Sequence, residues 1–129
     1  MSSYKDDYNL IISNLNAKKS ERINNVVNAY NLAERLHSGQ MRKNGDPYIT
    51  HPVKVAQILE GLDYDTDVIS AALLHDVVED CGYTIDEVKE NFNSNIAEIV
   101  DAVTHITKED YIKDGSFEDD NFLSVAIKH

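Results

Sequence analysis

Residues 68–78, VISAALLHDVV, are apolar on every side when wound as a helix. A helix hydrophobic all round belongs at the centre of a core, not on a surface. It is also the wrong place for charge, because an ionised carboxylate taken out of water without a partner is strongly disfavoured. Yet His75 and Asp76 sit side by side within it, and Glu79 and Asp80 follow one turn later. Spacings of three and four residues place Glu79 beneath His75 and Asp76, and Asp80 beneath Asp76. One helix face then carries an imidazole and up to three carboxylates in a hydrophobic frame. From the residues alone two readings stand level. Either His75 is a satisfied core histidine and the acids are a solvated helix end, or a divalent cation holds the cluster together.

The remainder of the chain reads as helices around this one. Ile23, Val26, Val27, Tyr30, Ala33 and Leu36 recur at helical spacing, with Ser20 able to cap a helix running to about His37. GQMRKNGDPY, residues 39–48, is rich in turn formers and reads as a loop. Thr50 is placed to cap a helix with His51 and Pro52 in its first turn, continuing to Gly61. The central helix begins near residues 65–67 and ends near Asp80. Thr84 with Glu87 forms a capping box for a helix ending near Phe92, and Asn95 with Glu98 repeats the signal. Residues 107–120 read as a short helix and a loop, and Phe122 to His129 as the start of one more helix. No alternating strand pattern is present. The expected fold is an all-α bundle of roughly six or seven helices, with residues 1–129 forming one domain.

Acids outnumber Lys plus Arg by 23 to 12, a formal charge of −11, which argues against general binding to nucleic acid or anionic lipid. An anionic substrate would therefore need a local cationic centre. Arg42 and Lys43, in a loop just upstream of His51, are either solubilising surface charges or a phosphate clamp. His51 itself is either an exposed first-turn residue or a partner of the acid cluster. His37 and His105 lie at helix C-termini, where a basic side chain suits the dipole. Tyr48 can stack on a base, but nothing local separates it from a core aromatic. A single cysteine, Cys81, excludes an internal disulfide and a multi-cysteine zinc site, and reads as a small apolar residue at a helix end. No apolar run spans a membrane and the N-terminus is not a secretory signal, so the expected compartment is cytoplasmic.

The string AERLHSGQMRKNGDPYITHPVKVAQIL, with ALLHDVVEDCGYTIDEVKENF and IVDAVTHITK, closely resembles the hydrolase domain of the RelA/SpoT family. Those domains belong to the HD superfamily of metal-dependent phosphohydrolases. The likeness covers about residues 22–108 in collinear order, and RKxGxPYxxHP followed by HDVVED is highly specific. It implies hydrolysis of guanosine 3′,5′-bis(diphosphate) and its pentaphosphate relative, with release of pyrophosphate and a manganese ion at the site. By resemblance His51, His75 and Asp76 are metal ligands, Glu79 and Asp80 orient or activate the attacking water, and Arg42 and Lys43 line the nucleotide site. Two other functions remain open: an HD phosphohydrolase of another nucleotide or phosphate ester, and a metal- or nucleotide-binding module without turnover.

The likeness has a gap. The family completes its metal site with an aspartate in a later segment like IKxADR, whereas this sequence ends SVAIKH with His129 at x. The expectation is a domain truncated at its C-terminus, lacking the fourth ligand and the last helices. His105 also replaces the lysine of the family's VTK, and the synthetase and regulatory regions of the longer members have no counterpart here.

Overall fold

The computed structural model describes residues 3–43 and 45–103. Among them are six helices and no strand, the only ladder pairing being an isolated bridge between Met41 and Pro47. The helices are α1 (Tyr4–Ala17), α2 (Ile23–Leu36), α3 (Thr50–Gly61), α4 (Thr66–Asp80), α5 (Ile85–Asn91) and α6, described over residues 94–103. The all-α expectation holds. The helices expected over residues 107–120 and 122–129, and the positions of His105 and His129, lie outside the described residues.

α4 is the axis of the bundle. It packs against α2 on one side and α3 on another, and every residue from Thr66 to Val77 except Val68 is buried. Leu73, Leu74 and Val77 are fully buried with Val26, Val53, Leu59 and Ile96 from the surrounding helices. Leu74→Ala is accordingly expected to destabilise the fold by about 2–5 kcal/mol, read as a shift of the urea midpoint without a change in slope.

α1 was not among the expected helices, and it covers α3 and α2. Ser3 and Asp6 form a capping box at its start. Tyr8 stacks on Tyr30 of α2 with centroids 3.7 Å apart, and the Tyr4 and Tyr30 hydroxyls both donate to Glu34. At the far end Lys18 and the Asn14 amide reach Glu60, each at 2.7 Å.

Several helix ends differ from expectation, each for a backbone reason. Ser20 does not cap α2, because its N–H closes α1 on the Leu15 carbonyl while Lys19 turns left-handed and bonds Asn16. This is the six-to-one, five-to-two pairing of a helix C-cap. Arg22 precedes α2 instead, and its side chain goes to Asp67. The same closure ends α3 at Gly61, as expected, with Asp63 in the left-handed position. Thr50 is the first residue of α3 and not its cap, the turn of residues 47–50 supplying the acceptors through Pro47 and Tyr48. Asn93 caps α6, its side chain accepting from the Ile96 N–H, because Asn95 is engaged with Asp67 at 2.8 Å. The capping box at Thr84 and Glu87 forms as expected.

Candidate metal centre

Three buried carboxylates in α3 and α4 test how this fold handles interior charge. Glu60 receives Lys18 and Asn14. Asp67, at the start of α4, receives Arg22, Asn93 and Asn95. Both are therefore hydrogen-bonded, as burial requires. Asp76 is different. It is 3% exposed, and its Oδ2 has no hydrogen-bond partner, the one carboxylate oxygen in that condition among the described residues.

Two imidazoles face it. His75 Nε2 lies 3.1 Å from Asp76 Oδ1, and His51 Nε2 lies 4.0 Å from Oδ2, too far for a hydrogen bond. The other nitrogen of His75 is 3.3 Å from the Ala72 carbonyl, one turn back. A carbonyl accepts only, so Nδ1 carries a proton there and Nε2 is the nitrogen turned to the carboxylate. An imidazole nitrogen and a carboxylate oxygen at this distance can share a proton or a metal ion. The same Nδ1–carbonyl bond is how metal-binding histidines are commonly oriented. Ligand atoms from His75, Asp76 and Glu79 all lie within 4.8 Å of one another. The donor set is imidazole and carboxylate, with no thiolate, which suits a borderline or hard divalent ion.

The elements explain why these side chains meet. His75, Asp76 and Glu79 share a face of α4 through helical spacing. His51 comes from the first turn of α3, which packs on α4. The structure thus brings together four residues singled out in the sequence: His51, His75, Asp76 and Glu79. Asp80, the last residue of α4, is exposed and accepts a hydrogen bond from the Tyr48 hydroxyl at 3.2 Å. Arg42 and Lys43 lie at the tip of the 38–49 loop, Arg42 half-buried and Lys43 exposed. The tip is shaped by the Arg42 N–H on the Asp46 carbonyl and by the Gly45 N–H on the Arg42 carbonyl, with Gly45 at φ +91°. That positive φ is where glycine is at home and other residues are strained.

His37 and Cys81 lie behind the site and not in its cluster. Cys81 packs half-buried against the core, its sulfur 3.7 Å from the Leu36 carbonyl and from His37 Nδ1. Burial pushes its thiol up, the Gln40 amide opposing and the Asp80 and Asp76 carboxylates reinforcing the shift. The neutral thiol is favoured, in keeping with a small packing residue. What sequence reasoning missed is the role of Tyr48, whose partner lies 32 residues away.

A wholly helical domain with an adjacent His-Asp pair on its central helix, and a second histidine delivered by the neighbouring helix, defines an HD-type domain. The family model described as HD domain matches residues 29–124. The chain is 45% identical over 96 residues to the guanosine-3′,5′-bis(diphosphate) 3′-pyrophosphohydrolase of Haemophilus influenzae, covering 74% of this chain and 14% of that protein. It is 38% identical over 107 residues to the bifunctional (p)ppGpp synthase/hydrolase SpoT of Escherichia coli, covering 83% and 15%. It is 42% identical over 90 residues to the GTP pyrophosphokinase of Streptomyces coelicolor, covering 70% and 11%. The chain belongs to the HD domain family, as an HD domain of RelA/SpoT type. It spans about one seventh or less of the length of these curated relatives.

Proposed function

We propose that this domain is a manganese-dependent hydrolase that releases pyrophosphate from guanosine 3′,5′-bis(diphosphate) or its pentaphosphate relative. The observation that carries the metal half of this reading is the buried, unpartnered Oδ2 of Asp76 among imidazole and carboxylate donors. The substrate half is supported by the Haemophilus influenzae relative, named a guanosine-3′,5′-bis(diphosphate) 3′-pyrophosphohydrolase, and by the Escherichia coli one, named a (p)ppGpp synthase/hydrolase.

His51, His75 and Asp76 would hold the ion, with the Glu79 carboxylate close enough to share in it. When bound, the ion supplies Lewis acidity, lowering the pKa of water and polarising a phosphoryl oxygen. Asp80 stands at the exposed end of α4, where a carboxylate can orient water and take its proton. Arg42 and Lys43 offer positive charge to the diphosphate groups, Arg42 through paired N–H donors and Lys43 as a point charge. They answer the difficulty that a chain of net charge −11 poses to a polyanionic substrate. No described helix is long and apolar enough to cross a membrane.

The test is pyrophosphate release from guanosine 3′,5′-bis(diphosphate), with and without Mn2+, in this chain and in a form extended past His129. Manganese-dependent release, absent with chelator and absent in His75→Ala, is the expected result. Release from a different nucleotide or phosphate ester alone would replace the substrate. Nucleotide binding with no turnover in either form would make the domain a binding module.

A further inference from the structure

Asp80 has an unusual neighbour for an exposed carboxylate. An aspartate at the solvent-facing end of a helix ordinarily samples several rotamers, and holding one costs entropy. Here its Oδ2 accepts from the Tyr48 hydroxyl at 3.2 Å, across the gap between the α2–α3 loop and α4. A floppy tyrosine would fix nothing, so the way Tyr48 is held decides what this bond can do.

Tyr48 is held from both its backbone and its ring. Its N–H donates to the Gln40 carbonyl at 2.8 Å, and its own carbonyl accepts from the His51 N–H at 3.1 Å at the entry to α3. Its ring leans on the imidazole of His37, centroids 4.8 Å apart and planes tilted by 31°. His37 is 2% exposed, and Nδ1 lies 3.2 Å from Gln40 Oε1. Cys81, bonded in sequence to Asp80, touches the same imidazole through sulfur. The ring's footing and the carboxylate's backbone therefore rest on one buried group.

We propose that Tyr48 is a positioning residue for Asp80: its hydroxyl, braced by buried His37, holds the carboxylate in a single rotamer at the exposed end of α4. The proposal rests on the reading that Asp80 acts on the attacking water. It separates the hydroxyl from the ring. Packing on His37 needs only the ring, and so would stacking on a substrate base; only the hydroxyl reaches Oδ2. The hydroxyl also leaves the second carboxylate oxygen, Oδ1, available for water, which a bidentate arginine would not.

The experiment compares the protein with Tyr48→Phe and Tyr48→Leu in three measurements. These are the three-bond NMR couplings that report Asp80 χ1, the Mn2+ affinity, and kcat and KM for pyrophosphate release. Tyr48→Phe is expected to average the Asp80 couplings and to leave Mn2+ affinity, melting temperature and KM unchanged. Its kcat falls about 10- to 100-fold, the scale of a misplaced reacting group. Added to Asp80→Asn it causes no further loss, because both changes remove one interaction. Asp80 couplings that stay those of one rotamer in Tyr48→Phe would overturn the proposal, as would averaged couplings with full kcat. A normal Tyr48→Phe beside a Tyr48→Leu with raised KM would make Tyr48 a base platform instead. If the unmodified protein releases no pyrophosphate, the proposed function falls, and the couplings still decide whether the hydroxyl holds Asp80.

Discussion

Asp76→Asn is expected to weaken divalent-cation binding sharply and, in the presence of chelator, to raise the melting temperature. The two effects have one cause. Asp76 Oδ2 is buried with no hydrogen bond, and Oδ1 lies 3.1 Å from His75 Nε2. An unsatisfied buried polar group costs about 1–3 kcal/mol and more when charged. The amide is nearly isosteric, removes the charge, and can donate to His75 Nε2. A gain of about 1–3 kcal/mol corresponds to roughly 3–10 °C for a domain of this size. Loss of the ligand oxygen lowers Mn2+ affinity by about 100-fold or more, since even groups behind a ligand are worth 10- to 100-fold. Calorimetric melts with chelator and with saturating Mn2+ should therefore cross. The substituted protein melts higher without the ion, whereas the native protein gains about 2.7 kcal/mol at 100 times its Kd and overtakes it. His75→Ala, by contrast, should lose binding without stabilisation, because it leaves the Asp76 Oδ2 unpartnered and opens a cavity. An Asp76→Asn protein that melts lower in chelator, or binds the ion undiminished, would mean that the carboxylate is satisfied in a way the geometry does not contain.

How much of this was legible in the sequence follows from the range of the interactions. α4 was readable because burial on all sides needs no knowledge of partners, only of period. The grouping of His75, Asp76 and Glu79 was readable for the same reason, being fixed by helical rise within one element. α1 could have been found, since Ser3 with Asp6 is a local capping signal and Tyr4, Tyr8, Ile11 and Leu15 recur at helical spacing. Ser20 and Thr50 misled because each stands near a helix start while the neighbouring turn had already taken the backbone role. His51 is a different matter. Its approach to Asp76 depends on how α3 lies on α4, and only the family resemblance tied the two together beforehand. The Tyr48–Asp80 bond joins a loop to a helix end through loop geometry, so no pattern in the sequence marks it.

Glu79 and Asp80 are adjacent and chemically alike, and the geometry places them differently. The Glu79 carboxylate lies among the ligand atoms of His75 and Asp76, all within 4.8 Å, and is half-buried. Asp80 is exposed and turned toward Tyr48. The Glu79 carboxylate thus stands within the group of ligand atoms, whereas the Asp80 carboxylate is engaged by the Tyr48 hydroxyl outside it. Asp80→Asn is therefore expected to lower the rate of pyrophosphate release by about 10²- to 10⁴-fold, the range for a lost general base, with Mn2+ affinity unchanged. Glu79→Gln should lower both, since its carboxylate is within reach of the ion as well as of water. The measurement is a pair of titrations, Mn2+ binding by calorimetry and kcat at saturating metal, on both variants. Equal loss of metal affinity in both would place Asp80 in the ion's coordination and remove the division of labour. Full activity in Asp80→Asn would leave Glu79 as the carboxylate that handles the proton, and the exposed end of α4 would be a solvated terminus after all.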